Sequence, residues 1–173
     1  MNSRELLQNG KSNNTPTGEQ GNHTLNEILT QPAAWQAALE VVNAKQASLR
    51  DMWEEGQFSE ILVIGCGSTY YLSLAAAPLL QLQLGKRACA VPASELLLFP
   101  ETVISPGSTP LLVTISRSGR TTETIRATQA YKTRQKGPML NIGCYEETEL
   151  VAQSDLALVI HEGQEQSLSL IHI

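Results

Sequence analysis

The sequence is poor in aromatic residues, in cysteine and in long apolar runs. Phe, Trp and Tyr make up 5% of its 173 residues, and no basic stripe with interleaved aromatic residues occurs, which argues against nucleic-acid binding. No window approaches the roughly 18 consecutive apolar residues that a membrane-spanning helix needs. The three cysteines are widely spaced and odd in number, so they fit neither a disulfide framework nor a zinc-ligand pattern. We therefore expect no metal, no nucleic acid and no membrane partner.

Length, composition and the amino-terminal residues set further limits. The chain is 42% hydrophobic and carries a formal net charge of −5, which suffices for one ordinary hydrophobic core. Its first residues have neither the apolar segment of a signal peptide nor a small-residue cleavage site. Together with the cysteine usage, this predicts one globular domain in the reducing cytoplasm.

The amino-terminal part changes character at Thr24. Residues 1–23 are dominated by small and polar side chains, which predicts a disordered tail. Thr24 and Glu27 fit a capping box that starts a short helix, and Pro32 is suited to begin a second helix. We therefore expect a helical segment over 24–56. Apolar side chains recur along it at helical spacing: Trp35, Leu39, Val42, Leu49 and Trp53. This stripe favours packing on the core or on a partner over a ligand shelf formed by the two tryptophans.

From residue 57 onward, short apolar runs alternate with helical patterns. The runs predict strands near 60–64, 87–91, 111–115, 139–142 and 156–160. The helical patterns cover 71–84, 94–99, 120–136 and 148–153. Such alternation indicates a parallel sheet with helices on both faces. The expected fold class is α/β, a doubly wound αβα sandwich with a mostly parallel sheet of about five strands, preceded by an amphipathic helix.

Two connections from a strand to a helix are rich in glycine and hydroxyl groups. The first is Gly65-Cys66-Gly67-Ser68-Thr69, and the second runs from Ser116 to Thr122 and also carries Arg117 and Arg120. In an open α/β sheet, ligands bind at the carboxyl ends of the strands near the switch in strand order. A helix start attracts anions through its free N–H groups and its dipole. Either connection alone could simply cap a helix, but together they predict a small phosphorylated ligand.

Two common nucleotide-binding patterns are missing. Gly65 and Gly67 open like a dinucleotide fingerprint, but Tyr70 stands where the third glycine belongs, and no clear acidic residue ends the next strand. No P-loop pattern occurs either. We therefore expect no cofactor.

These motifs, in this order, resemble the sugar isomerase (SIS) domain family over roughly residues 25–167. In the isomerase half of glucosamine-6-phosphate synthase the first connection reads C-G-T-S, where this chain has Cys66-Gly67-Ser68-Thr69. The second reads S-Q-S-G-E-T-A-D-T, where this chain has SRSGRTTET from Ser116 to Thr124. The run I-L-x-Q-P-x-x-W from Ile28 is similar to the ketose/aldose isomerase and fructosamine-phosphate deglycase group, and S-D-L-A-L from Ser154 also matches the family.

The resemblance implies that the two connections bind different parts of the ligand. The implied phosphate-binding residues are Ser116, Arg117, Ser118, Gly119 and Thr121. The implied sugar-binding residues are Gly67, Ser68 and Thr69. This chain departs from the family where Gln and Glu become Arg117 and Arg120, and both changes add positive charge at an anion site. An Arg120 that points to solvent remains an open alternative.

Catalytic residues are not identified by the resemblance. Relatives carry their acid/base Glu, His and Lys mainly in a second SIS domain or across a dimer interface, and Glu165 is the one local candidate that the match offers. Cys66 has no neighbouring base in its motif, so packing beside the ligand is favoured over nucleophilic catalysis. His161 and Glu95 are interpreted as structural or surface side chains.

The expected organisation and function follow from this resemblance. Residues 57–167 form the first of an expected pair of SIS domains. Residues 168–173 match the in-frame translation of a transposon adaptor used in library preparation, which predicts a non-native tail. The implied function is binding of a carbohydrate derivative, a phosphorylated sugar or amino sugar, in an isomerase, deglycase or glutamine–fructose-6-phosphate transaminase-like enzyme of amino sugar metabolism. A non-catalytic SIS sensor is the alternative. The implied partners are a second SIS domain and a second copy of the chain, for which the helix carrying Trp35 and Trp53 is a candidate surface.

Overall fold

The computed structural model describes residues 22–134 and 137–164. Residues 22–31 belong to one compact unit, and Pro32–Gln164 form a second. The helices are α1 (Asn22–Ala44), α2 (Gln46–Glu55), α3 (Ser68–Leu84), α4 (Ala93–Leu98), α5 (Pro100–Val103), α6 (Thr122–Arg134) and α7 (Glu149–Gln153). The strands are β1 (Glu60–Gly65), β2 (Ala88–Pro92), β3 (Pro110–Ser116), β4 (Met139–Gly143) and β5 (Leu156–Val159), followed by a 3-10 turn at His161–Gly163.

The five strands form one sheet in the order β2-β1-β3-β4-β5, and every neighbouring pair is parallel. Ile64 of β1 lies opposite Val91 of β2 on one side and Thr114 of β3 on the other. Helices flank this sheet, so the predicted α/β class with a parallel sheet of five strands is confirmed. Parallel strands need long crossovers, which is why helices separate them in the sequence.

The core is divided between the two faces of the sheet because side chains alternate along each strand. Leu62, Leu112 and Met139 belong to one cluster, together with Leu96 of α4 and Tyr131 of α6. A second cluster contains Ile61, Val63, Leu111, Val113 and Ala77 of α3, with Met52 and Trp53 of α2 packed against it. Each fully buried Leu or Ile contributes about 1.5–3 kcal/mol, so the sheet is a firm base for the loops at its edges.

Helix α6 is tied to the strand that precedes it. Its buried face consists of Thr124, Ala127, Thr128 and Tyr131. The Tyr131 hydroxyl donates a hydrogen bond to the carbonyl of Pro110, the first residue of β3. The far end of α6 therefore lies against the start of β3, and the near end must lie beside the end of β3.

The helical segment at the amino terminus differs from the prediction at Pro32. One helix, α1, begins at Asn22, two residues before the predicted cap, and runs through Pro32 to Ala44. The break comes at Lys45 instead, where φ is −99° and ψ is 9°. Proline removes one helical hydrogen bond, but its fixed φ is helical, so the helix continues here despite that loss.

The same break separates the two tryptophans. Trp35 on α1 is 65% exposed, whereas Trp53 on α2 lies edge-on to Phe58 with ring centroids 4.9 Å apart. They stand on different helices. Trp53 packs on the core, as the favoured interpretation predicts, whereas Trp35, Leu39 and Val42 remain exposed.

Two shorter predictions also change. The helical pattern over 94–99 is α4, which ends at Leu98, and a further helix, α5, begins at Pro100, where the missing N–H is harmless. The last strand ends at Val159, and His161 begins the 3-10 turn. The predictions for residues 1–21 and for 168–173 lie outside the described residues. Among the helices described, none is both long enough and apolar enough to cross a membrane.

Candidate functional site

The strand order places the candidate site at the carboxyl edge of β1 and β3. The crossover after β1 leads to β2 on one side, and the crossover after β3 leads to β4 on the other. The two connections therefore diverge from neighbouring strands, which lie about 4.8 Å apart. This is the switch point where open α/β sheets bind their ligands. We call residues 65–69 the β1 loop and residues 116–122 the β3 loop.

The β1 loop is held closed by Thr69. The N–H of Cys66 donates to the Thr69 hydroxyl oxygen at 3.0 Å, and that hydroxyl donates to the Cys66 carbonyl at 3.0 Å. A Cβ on Gly65 would stand 2.5 Å from the Thr69 carbonyl carbon, so only glycine permits this tight passage from strand to helix. Gly67 and Ser68 are exposed at the start of α3. The loop thus leaves Ser68 exposed at the start of α3, while Thr69 organises the turn.

The β3 loop is packed against the connection that follows β4. Ser116 ends the strand and is 3% exposed. The N–H of Cys144 donates to the Arg117 carbonyl at 3.1 Å. Gly119 has a φ of +63°, and a Cβ there would stand 2.6 Å from both Oγ1 and Cγ2 of Thr148. The backbone path of the loop is therefore determined by contacts with residues about thirty positions later in the chain.

The first turn of α6 has the backbone features that favour an anion. The N–H of Ile125 donates to the Thr121 carbonyl at 3.0 Å, and the preceding N–H groups of the helix have no acceptor within it. The positive end of the helix dipole is at the same place. Lys132 and Arg134 lie in the last turn, where their positive charges interact favourably with the negative end of the helix dipole. Arg117 is half-buried and Arg120 is exposed. The exposure of Arg120 is consistent with the alternative that its side chain points to solvent.

Two residues that support the site were not anticipated. Thr148 accepts the N–H of Val151 at 3.3 Å as the cap of α7, and its side chain also fills the space above Gly119. Asn141 of β4 is 1% exposed and accepts the hydroxyl of Thr114 at 2.8 Å, two residues before Ser116. A Thr at a helix start signals its capping role. No sequence signal links it to Gly119, because that contact depends on the order of the strands.

The pKa of the Cys66 thiol depends on its burial and on a charge at the start of α6. Burial raises the pKa of this thiol above its ordinary value, and the negative charge of Glu123 raises it further, while a hydrogen bond from the Gly67 backbone lowers it. Glu123 lies in the first turn of α6, so a charge on the helix that follows the β3 loop acts on a residue of the β1 loop. A thiol with a raised pKa keeps its proton at neutral pH, which supports packing and not nucleophilic attack.

We expect Cys66 to be alkylated slowly at pH 7–8 and to react appreciably only above its ordinary titration range. Glu123→Gln should speed the reaction at a given pH, because loss of the carboxylate charge lowers the pKa of the thiol. Mass-spectrometric iodoacetamide labelling against pH measures this at each cysteine. Glu149→Gln, on α7, is the matched control. Equal Cys66 profiles in wild type and Glu123→Gln would show that the two groups are not neighbours.

Other candidates lie apart from this arrangement. His161 Nε2 is 3.1 Å from Glu146 Oε1 in an exposed pair, and Glu95 is an exposed residue of α4. These positions fit the structural and surface roles expected of them. Glu165 lies outside the described residues. Within ranges 22–134 and 137–164, no group of three or more His, Cys, Asp or Glu side chains could hold a metal ion.

Comparison with known proteins gives this arrangement a context. The SIS domain family model matches residues 57–172. A D-galactosamine-6-phosphate deaminase, AgaS, of Escherichia coli is 31% identical over 112 residues, covering 63% of this chain and 29% of the relative. A glutamine–fructose-6-phosphate aminotransferase (isomerizing) of Shewanella oneidensis is 29% identical over 154 residues, covering 86% and 25%.

A solved structure agrees with these relatives. The crystal structure of tagatose-6-phosphate ketose/aldose isomerase from Escherichia coli superposes with a TM-score of 0.76 at 27% identity, covering 85% of this chain and 42% of that chain. This chain therefore spans between a quarter and about two fifths of the length of the relatives described.

Proposed function

We propose that this chain, which belongs to the SIS domain family, binds a phosphorylated sugar or amino sugar at the crevice between the β1 and β3 loops. The observation that carries the proposal is the position of both loops at the switch point of a parallel sheet. The β3 loop, which carries Arg117, leads directly into the start of α6. The proposal assigns the phosphate to the β3 loop and the sugar hydroxyls to the β1 loop.

The phosphate side is proposed to use Ser116, Arg117, Ser118, Gly119 and Thr121. Backbone N–H groups at the start of α6 and the serine hydroxyls can donate hydrogen bonds to phosphate oxygens. A guanidinium group adds planar, charge-assisted hydrogen bonds, which are stronger than those between neutral groups. Because the loop is held by Thr148 and by Cys144, these donors are positioned before the ligand arrives.

The sugar side is proposed to use Gly67, Ser68 and Thr69. Gly67 has a φ of +58° with open space beside its Cα, so the backbone can approach a ligand closely there. Ser68 offers an exposed hydroxyl at the helix start. The Thr69 oxygen already closes the loop, so its direct contribution to the ligand is secondary to its role in shaping the turn.

The wider proposal concerns the intact enzyme. We infer that the chain is the substrate-binding part of a cytoplasmic isomerase, deglycase or transaminase-like enzyme of amino sugar metabolism. Aldose–ketose chemistry needs a group that moves a proton between neighbouring carbons, and we assign that group to a second SIS domain or a second copy. An enzyme is favoured over a sensor because relatives at 27–31% identity are named for reactions of sugar phosphates.

Isothermal titration calorimetry tests the binding proposal directly. The chain is titrated with glucosamine 6-phosphate, fructose 6-phosphate and a fructosamine 6-phosphate, and with glucosamine and fructose as matched ligands that lack the phosphate. We expect binding by at least one phosphorylated ligand and at least about tenfold weaker binding of its unphosphorylated counterpart, since a phosphate forms several charge-assisted hydrogen bonds. Equal affinity for the two forms would contradict the assignment of the β3 loop.

A further inference from the structure

Thr124, in the first turn of α6, has a buried hydroxyl group with no hydrogen-bond partner. The residue is 0% exposed, and its Oγ1 forms no hydrogen bond with any atom of the part of the chain that the structure describes. A buried polar group without a partner costs free energy, because it has lost its hydrogen bonds to water. Such groups are few in native proteins, and each calls for an explanation.

The other two buried threonines among the described residues both have partners. Thr114 donates to Oδ1 of Asn141 at 2.8 Å, and Thr128 donates to the carbonyl of Thr124 at 2.8 Å. The bond of Thr128 is one that a threonine inside a helix commonly forms, from its hydroxyl to the carbonyl four residues earlier. Thr124 is therefore an exception on the same buried face of the same helix.

The backbone of the β3 loop explains why Thr124 lacks that bond. The carbonyl four residues earlier belongs to Arg120, which precedes the first residue of α6, Thr122. The helical hydrogen-bond pattern starts with the carbonyl of Thr121, which accepts the N–H of Ile125 at 3.0 Å. The loop conformation that leaves the first N–H groups of α6 without acceptors in the helix thus also leaves the hydroxyl of Thr124 without its usual acceptor.

Thr124 lies on the side of α6 that packs on the sheet, at the end nearest the β3 loop. Ala127 and Tyr131, on the same buried face of α6, pack in one cluster with Leu112 of β3. Alternation along the strand puts Ser116 on the same side of the sheet as Leu112. Tyr131 lies against the start of β3, so Thr124, about two turns earlier in the helix, lies toward the end of β3. The unpartnered hydroxyl is therefore under the start of α6, on the side of Ser116.

We propose that Thr124 is a further phosphate-binding residue, whose hydroxyl gains its missing acceptor when a phosphate group binds at the start of α6. The inference rests on the phosphate side of the proposed function and adds one donor to it. A phosphate oxygen, or a water molecule bound to one, can accept from the hydroxyl. Because the buried hydroxyl is costly only while it has no acceptor, the ligand relieves that cost. Thr124 thereby adds to the preference for phosphorylated sugars.

This role predicts that stability and affinity respond in opposite directions to one substitution. Thr124→Val removes the hydroxyl and keeps nearly the same side-chain shape. It should leave the urea midpoint of unfolding unchanged or raise it, because the free chain no longer contains an unpartnered buried hydroxyl. It should also raise the dissociation constant of a phosphorylated ligand at least about tenfold, because a hydrogen bond to a charged group is lost.

Two matched variants isolate the contribution of the hydroxyl. Thr124→Ser keeps the hydroxyl but loses a buried methyl group, so it should lower the urea midpoint and retain the affinity to within about threefold. Thr128→Val removes a buried hydroxyl that already has a partner on the same helix, so it should leave the affinity unchanged. A residue with a purely structural role would instead lose affinity when it loses stability.

The test is isothermal titration calorimetry of the full 173-residue chain and the three variants, with urea unfolding of each without ligand. The probes are inorganic phosphate, glucosamine 6-phosphate and fructose 6-phosphate. Wild-type affinity in Thr124→Val, an equal loss in Thr128→Val or Thr124→Ser, or a clearly lower urea midpoint in Thr124→Val would each overturn the role of the hydroxyl. A wild-type chain that binds none of the probes would contradict the phosphate site itself and this inference with it, so the two failures give different results.

Discussion

Replacing Gly119 by alanine is expected to abolish measurable phosphosugar binding and to destabilise the chain by about 2–5 kcal/mol. Two effects add at this position. Its φ of +63° lies in the left-handed region, which costs a residue with a Cβ about 1–2 kcal/mol. The new Cβ would also stand 2.6 Å from two atoms of the Thr148 side chain, so the β3 loop must move away from the connection after β4. A shift of about 1 Å in positioned donors can cost about 100-fold.

The chain offers a matched control and a rescue. Gly107→Ala isolates the cost of the left-handed backbone conformation. Gly107 has a φ of +78°, and no atom lies within 4 Å of the added Cβ, so there is no collision. It should cost about 1–2 kcal/mol and leave binding unchanged. In Gly119→Ala/Thr148→Gly the colliding side chain is removed, and a glycine cap costs only a few tenths of a kcal/mol. Urea unfolding and calorimetry measure both quantities. Equal effects of Gly119→Ala and Gly107→Ala would refute the collision.

The double substitution Ser116→Ala/Ser118→Ala is expected to weaken phosphosugar binding by at least about 100-fold, with little change in fold. Hydrogen bonds to a charged group contribute about 1.5–3 kcal/mol each, and both hydroxyls are assigned to phosphate. Ser116 is 3% exposed and is the last residue of β3, so the strand determines the position of its backbone. The Ser118 oxygen accepts the Arg120 N–H at only 3.3 Å, so its removal costs little stability.

A comparison of phosphorylated and unphosphorylated ligands tests whether the two hydroxyls act on the phosphate. The double variant should lose affinity for a phosphorylated sugar but show no further loss for its unphosphorylated counterpart, because we assign both missing hydroxyls to the phosphate. Ser105→Ala is the control, since Ser105 is exposed and precedes β3 at the opposite end of the strand. Calorimetry with both ligand forms gives the comparison. Wild-type affinity in the double variant would remove Ser116 and Ser118 from the site.

Local patterns predicted most of the elements that surround the crevice. The apolar run after Pro110 is a strand because its residues are buried on both faces of a parallel sheet. Gly85 ends α3 with a φ of +65°, as a glycine after a helix commonly does. These features depend on neighbours in the sequence, so the sequence carries their signal. At Pro32 and Lys45 the local signals gave the wrong helix boundary. The helix continues through Pro32 and breaks at Lys45 instead, so the proline alone did not determine where the helix ends.

What the sequence by itself determined is the chemistry of two loops: glycines where the backbone must turn, hydroxyls at a helix start and two added arginines. Only the tertiary structure decided that these loops are neighbours. Their adjacency follows from the order β2-β1-β3-β4-β5, which residues distant in sequence establish together. The same holds for Thr148 above Gly119 and for the effect of the Glu123 charge on the Cys66 pKa. Contacts between distant segments arise from packing of the whole sheet, and no local pattern encodes them.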